Sequence, residues 1–344
     1  MKTIDIGGRA VGAGHPVFVI AEVGYNFNTI EEAKASIDAA ISCGVDAIKF
    51  QTFRAETVTS RFTDFPSEAG ATNQFDEFKR YELPEAAHRE LFEYSREKGI
   101  IAFSTPAYFD DVELLERVGV VVHKIGSDDL TNLPFLDYVA RKGRPVIFST
   151  GMGNLSEVDE AYRTILAAGN DQIVILQCVS NYPIRDTSVV NLRVIETYRH
   201  AFDAVIGFSD HTTSLAVAPA AVALGAAVIE RHFTLDKKLP APDAPFSADP
   251  AEMTALVQAI REVESALGNG IKNPTRTEVD MRRETRKSAV ARVDIEKGEQ
   301  ITADKFIIKR PGTGIPPKER HMIVGRRARH RIGADEVITW DKID

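Results

Sequence analysis

The stretch AVIGFSDHTTSLAVAPAAVALGAAVIERHF (Ala204–Phe233) holds two short apolar runs on either side of a helix-length segment rich in Ala, Val and Leu. Each run ends in polar residues. The runs read as β-strands, and the segment between them as a helix that brings the chain back for parallel pairing. Each strand ends at a histidine, His211 or His232, with an acid beside it, Asp210 or Glu230. Two explanations compete for the histidines. They are unrelated polar residues at segment ends, or they meet in space around one ligand.

The same unit recurs upstream. VFVIAEVG, DAIKFQTF, IIAFSTPA, VVHKIGS, PVIFSTG and IVILQCVS precede AVIGFSD and AVIERHF, making eight β runs. Helix-like stretches such as TIEEAKASIDAAISCG, DDVELLERVG and LSEVDEAYRTILAAG lie between them, and PAEMTALVQAIREVESALG follows the last. Several of these stop at a glycine, a common helix terminator. The β runs start apolar throughout, as parallel strands buried on both faces do. Eight such units within roughly 250 residues predict an α/β fold, a (β/α)8 TIM barrel. A doubly wound open sheet is the alternative, but no Gly-rich dinucleotide fingerprint follows the first strand.

Composition bounds the function. The chain has 344 residues, 44% hydrophobic and 27% charged, with a net charge of −8. Nucleic acid is not expected as a partner. The apolar run Leu215–Ile229 is interrupted by Pro219 and is too short to span a bilayer, so no membrane role is expected. The N-terminus lacks the apolar core of a signal peptide. Cys43 and Cys178 sit in apolar runs without metal or redox spacing, which fits a reducing, cytoplasmic setting. The last 58 residues carry 13 Lys and Arg against 9 Asp and Glu, so they are basic where the rest is acidic. The barrel is expected over 1–270, a polar linker over 271–286, and a small C-terminal domain over 287–344.

In a TIM barrel the working residues lie where strands end and loops begin. These positions are polar in nearly every unit: Glu22, Lys49 and Gln51, Thr105, Lys124 and Ser127, Ser149, Gln177 with Ser180 and Tyr182, Ser209 and His211, Glu230 and His232. The last two strands are neighbours in a barrel, so His211 and His232 can converge, and imidazoles at adjacent strand tips suit a divalent metal such as Zn, Mn, Fe, Co or Ni. Lys49 and Lys124 each interrupt an apolar strand, and a buried ammonium needs an anion. That anion is Glu22 or Glu230, or a phosphate or carboxylate of a substrate; a Schiff-base lysine of an aldolase is a further reading. Glu22 is either a lysine's partner or an acid–base group. Arg310, in the Pro/Gly-rich loop KRPGTGIPP (Lys309–Pro317), is either a solvated loop charge or a group that reaches an active site from outside.

Taken in order, FVIAEVGYNFN, VDAIKFQTF, FSTPAYFDDVELL, HKIGSDDLTNLPFL, PVIFSTGM, QCVSNYP, IGFSDHT and ERHFTLDKKLPAPD resemble the sialic acid synthase family. The tail SAVARVDIEKGEQITADKFIIKRPGTGI is similar to that family's C-terminal antifreeze-like (SAF) domain. The resemblance implies metal-dependent condensation of phosphoenolpyruvate with N-acetylmannosamine or a related N-acetylated hexosamine, giving a nine-carbon 2-keto sugar acid and phosphate. A legionaminic or pseudaminic acid synthase, acting on a diacetamido-trideoxyhexose, is the alternative. By the same resemblance His211 and His232 hold the metal, usually Mn2+, with Mg2+ or Co2+ as alternatives. Lys49, Thr105, Lys124, Ser127, Ser149 and Ser209 hold phosphoenolpyruvate, and Glu22 handles the proton at the aldehyde oxygen. Gln51, Tyr182 and Asp243 contact the sugar, with Ser180 also at the substrate end, and Glu230 supports the metal and substrate. Arg310 reaches the neighbouring subunit's site in a homodimer with exchanged C-terminal domains. Three positions depart from the family's usual pattern. Asn26-Phe27-Asn28-Thr29 stands where Asn-His-Asn-Gly is usual, Asp129 where glutamate is common, and Ser180 where asparagine is frequent. They bear on which sugar is accepted.

Overall fold

The computed structural model describes residues 2–65, 72–241 and 243–344. Eight strands, β1 (Phe18–Gly24), β2 (Ala47–Thr52), β3 (Ile101–Pro106), β4 (His123–Ile125), β5 (Val146–Ser149), β6 (Ile173–Cys178), β7 (Val205–Asp210) and β8 (Val228–His232), form one parallel sheet. Their ladder order is β3-β2-β1-β8-β7-β6-β5-β4. The first and last strands of that order pack side by side and close the TIM barrel, although no ladder joins them among the described residues.

The outer ring comprises α1 (Ile30–Ser42), α2 (Glu85–Lys98), α3 (Phe109–Arg117), α4 (Leu133–Ala140), α5 (Leu155–Ala167), α6 (Val194–Ala201), α7 (Val217–Ala223) and α8 (Pro250–Leu267). Their sequences explain their limits. Asn154 and Glu157 form a capping box at the start of α5, and Asp249 and Glu252 do the same for α8, each satisfying two otherwise orphaned backbone donors. α2 stops at Gly99, whose φ of 76° a side chain would strain. The buried positions of α8, Met253, Leu256, Val257 and Ile260, recur at helical spacing and face the sheet. Strand β1 is buried at every residue, because helices cover one face and the barrel interior the other. Phe18, Phe103, Phe148 and Phe208 are among the largest fully buried side chains, and truncating one to alanine costs about 3–5 kcal/mol.

Two of the residues that depart from the family pattern have structural work in this unit. Phe27 is buried and meets the Phe50 ring edge-on, with centroids 6.1 Å apart. Thr29 caps α1, its side chain accepting from Glu32 N.

The chain divides into two compact units, Met1–Gly268 and Asn269–Asp344. The second has its own core around Ile295, Ile301, Phe306, Ile315, Ile332 and Ile338. An antiparallel pair, Ser288–Ala291 with Phe306–Lys309, lies within it. The stretch 271–286, expected as a polar linker, contains a helix, Arg276–Thr285, which begins at a capping box of Thr275 and Glu278.

Candidate active site

The ladders of the barrel assemble the site. Parallel partners point to the same face, and so do residues two apart on a strand. Glu22 on β1 is the ladder partner of Lys49 on β2, and their side chains meet at 2.5 Å from Oε2 to Nζ. Phe103 is the partner of Lys49 on β3, and Thr105, two residues on, accepts from Lys49 Nζ at 3.1 Å. Gln51 donates to Glu22 Oε1 at 3.0 Å. Lys124 donates to Ser149 Oγ at 2.8 Å and to the carbonyl of Ile125. Ser209 is the partner of Glu230 and donates to its Oε1 at 2.8 Å. Glu230 lies between the lysines, 3.7 Å from Lys49 Nζ and 3.9 Å from Lys124 Nζ.

Two buried lysines and two buried carboxylates thus share one end of the barrel, and their electrostatics are coupled. Burial pushes Glu22 up to about 7; the Lys49 ammonium opposes this and the Glu230 carboxylate adds to it. Burial pulls Lys49 down, but Glu22 and Glu230 outweigh it and hold the amine charged. Burial also acts on Glu230, where the two lysines prevail and keep it ionised. Lys124, with less carboxylate beside it, is shifted down by burial. Glu230 Oε2 makes no hydrogen bond although it is buried. An anionic ligand with a phosphate or carboxylate matches the lysines and hydroxyls, and a polar group on such a ligand matches that free oxygen.

The histidines do converge. The His211 and His232 rings lie 5.3 Å apart between centroids. His211 Nδ1 donates to the carbonyl of Val179 at 2.8 Å, and its Nε2 lies 3.5 Å from Ser209 Oγ. Burial pulls this ring down, but Cys178, the Val179 carbonyl and Glu230 outweigh it and push it up, so a metal at Nε2 would displace a proton. His232 is held well below its ordinary range by burial and by the charges of His211 and Lys49. It is therefore neutral, the form that ligates, and its Nδ1 is buried without a hydrogen bond. Asp243 Oδ2 lies 3.6 Å from that Nδ1, with the Asp243 carboxyl pushed up to about 6 by burial. The donor set fits a divalent ion with two nitrogen ligands. Among the described residues no three His, Cys, Asp or Glu side chains are arranged to hold a metal ion.

The remaining predicted residues fall on the rim or elsewhere. Tyr182 covers the histidines, its ring 4.2 Å from that of His211 and 5.9 Å from that of His232. Ser127 and Ser180 flank Gly151. Ser127 Oγ accepts from Gly151 N at 3.0 Å, and a Cβ on Gly151 would fall 2.2 Å from Ser180 Oγ. Asp129 is bonded to Asn132 and pushed up to about 6 by burial. Arg310 belongs to the C-terminal unit, where it is exposed just past Phe306–Lys309.

The structure corrects two readings on β6. Gln177 was expected at the barrel mouth, but it points outward and donates to the carbonyl of Val190. Its neighbour Cys178, read as lying in plain apolar surroundings, faces inward instead, 3.6 Å from Ser127 Oγ and 3.9 Å from His211 Nδ1. Strand alternation ties the two outcomes together, since only one of two consecutive residues can face the interior. Asn26 was also missed as a tether. It is buried and donates to the carbonyl of Phe233 and to Ser247 Oγ, joining the ends of β1 and β8.

Ionisable and polar residues gathered at the C-terminal strand ends of a closed TIM barrel define an enzyme of the barrel class. The chain belongs to the NeuB family, whose model matches residues 36–272, and a SAF domain matches residues 286–344. It is 40% identical to the N,N'-diacetyllegionaminic acid synthase of Legionella pneumophila, over 97% of this chain and 96% of the relative. It is 37% identical to the human N-acetylneuraminate-9-phosphate synthase, over 98% and 95% of the two chains. The crystal structure of the N-acetylneuraminic acid synthetase of Leptospira borgpetersenii, in complex with citrate, superposes with a TM-score of 0.74 at 32% identity, covering 81% of this chain and 95% of that one.

Proposed function

We propose that this NeuB-family enzyme condenses phosphoenolpyruvate with an N-acetylated mannosamine-type sugar, giving a nine-carbon 2-keto sugar acid and phosphate. The observation that carries this reading is the pairing of a cationic cradle, Lys49 and Lys124 with Thr105, Ser149 and Ser209, with two imidazoles, His211 and His232, that converge at the ends of β7 and β8. In the reaction, the methylene carbon of phosphoenolpyruvate bonds to the sugar's aldehyde carbon, and the aldehyde oxygen takes up a proton. Water adds at the phosphate-bearing carbon, whose bond to the phosphate oxygen then breaks. The lysines neutralise the anionic substrate, and the hydroxyls orient its phosphate and carboxylate. Glu22, held near neutrality in its pKa, is suited to deliver the proton to the aldehyde oxygen. Gln51, Tyr182 and Asp243 line the sugar's side. A divalent ion held by His211 and His232, with Mn2+ the first choice, would polarise the aldehyde as a Lewis acid.

A second acceptor, a diacetamido-trideoxyhexose leading to a legionaminic-type acid, is favoured by the near full-length similarity to the Legionella synthase. The basic C-terminal unit belongs, in this proposal, to a homodimer in which Arg310 serves the partner's site. An aldolase would use Lys124, which burial shifts down toward the neutral amine that a Schiff base needs, and not Lys49, which two carboxylates hold charged. The test incubates the protein with phosphoenolpyruvate, Mn2+ and a panel of N-acetylated hexosamines. Phosphate release with one of them, lost on chelation and restored by Mn2+, is expected. No release with any sugar would count against the proposal, and a borohydride-trapped adduct with a keto acid would favour the aldolase.

A further inference from the structure

On the outer side of β7 and β8, behind the two histidines, lies a buried ion pair. Arg231 Nη1 is 2.6 Å from Asp210 Oδ2, with side chains 4% and 0% exposed. Strand alternation puts Ser209 and Glu230 on the inner face, so Asp210 and Arg231 point toward the helices. The β7–β8 ladder runs from Gly207 and Val228 to Asp210 and Arg231 and ends there. His211 is the first residue past it. His232 is fixed from the other side, as the ladder partner of Glu22 on β1. Asp210 Oδ1 also accepts from Thr212 N at 2.9 Å, and Arg231 Nη1 approaches Thr212 Oγ1 at 3.5 Å. The pair therefore grips the residues before and after His211 and ties them to the residue before His232. From the segment that follows β6, the carbonyl of Val179 and the N–H of Ile184 hold His211 as well, but neither reaches β8.

We infer that Asp210 and Arg231 are positioning residues that set the spacing of His211 and His232 and, through it, the affinity for a divalent metal. The inference rests on the metal-binding reading of the histidine pair. Removing one partner alone strands a buried charge, which is strongly destabilising, whereas replacing both by apolar residues of similar volume is often neutral. The informative variant is therefore Asp210→Leu/Arg231→Met in the full-length protein. Three quantities are measured: Mn2+ binding alone, by the paramagnetic resonance of the free ion; phosphoenolpyruvate binding without metal, by calorimetry; and the thermal midpoint. The double variant should bind Mn2+ about tenfold more weakly or worse, with phosphoenolpyruvate affinity and thermal midpoint little changed. Asp210→Asn keeps the size and the bond from Thr212 N. Because it leaves Arg231 without its counter-ion, its thermal midpoint should fall. Asp210→Glu/Arg231→Lys, which keeps both charges and displaces the link, should weaken Mn2+ binding in the same direction and decides the matter if the double apolar variant does not fold. Unchanged Mn2+ affinity overturns the inference, and so does a parallel loss of phosphoenolpyruvate affinity, which would indicate general damage. A wild-type protein with no Mn2+ binding sensitive to His211→Ala overturns the metal reading itself, and the inference with it.

Discussion

Glu22 concentrates the chemistry at the scale of single residues. Its proton is held to about pH 7 by burial. If the protonated form serves the aldehyde oxygen, phosphate release should fall as pH rises through about 7. Glu22→Gln should remove that limb and lower kcat by about 10²–10⁴-fold, read from pH–rate profiles of both proteins. Asp111, on α3, gives a stability counterpart away from the site. It is buried, one oxygen lacks a hydrogen bond, and its carboxyl is pushed up from 3.8 to about 6 by burial. A raised carboxyl pKa means that the folded chain binds the proton more tightly than the unfolded one. Stability is therefore lost as pH rises from about 4 toward 6, and above that the charged group burdens the fold. Asp111→Asn should melt higher than wild type at neutral pH and alike near pH 4, as followed by thermal denaturation across that range. The lysines and histidines were legible in the sequence because charge inside an apolar strand is conspicuous. Cys178 was not, because a cysteine in an apolar run looks like core, and only the phase of the strand says which way it points.

Among the elements, the loop between β5 and α5 is tightly constrained. Gly151 leaves room where a Cβ would lie 2.2 Å from Ser180 Oγ and 2.8 Å from Ser127 Oγ. Gly151→Ala should push both serines aside and raise the KM for phosphoenolpyruvate by about tenfold or more, and because Gly151 is buried the thermal midpoint should fall as well. Steady-state kinetics beside a melting curve separates the two effects. The strands could be read from sequence because both their faces are covered, which forces apolar runs of strand length. The helix Arg276–Thr285 could not, because none of its residues is buried. With no apolar stripe to give a period, only the capping box of Thr275 and Glu278 marked it. Asp210 had no role readable from sequence for a related reason: its partner Arg231 is 21 residues away, and only the β7–β8 register joins them.

For the whole molecule, the two units carry separate cores, and the composition shifts from acidic in the first to basic toward the C-terminus. The proposed exchange of C-terminal units between copies has a direct test. Arg310→Ala and His211→Ala proteins, each inactive alone, should regain partial activity when mixed under conditions in which dimers exchange, because some mixed dimers hold one intact site. Persistent inactivity despite demonstrated exchange would remove Arg310 from the neighbour's site. The barrel also has an uneven circumference. β4 is three residues long, and among the described residues it meets β3 by packing, without a ladder. In amide hydrogen exchange, the interior of an eight-stranded barrel should protect its strands alike, yet here β4 and the facing edge of β3 should exchange ahead of β1 and β8. Lys124 sits on β4, so the most easily opened seam carries one of the two lysines, and an anionic substrate bound there should slow exchange at that seam more than anywhere else in the sheet.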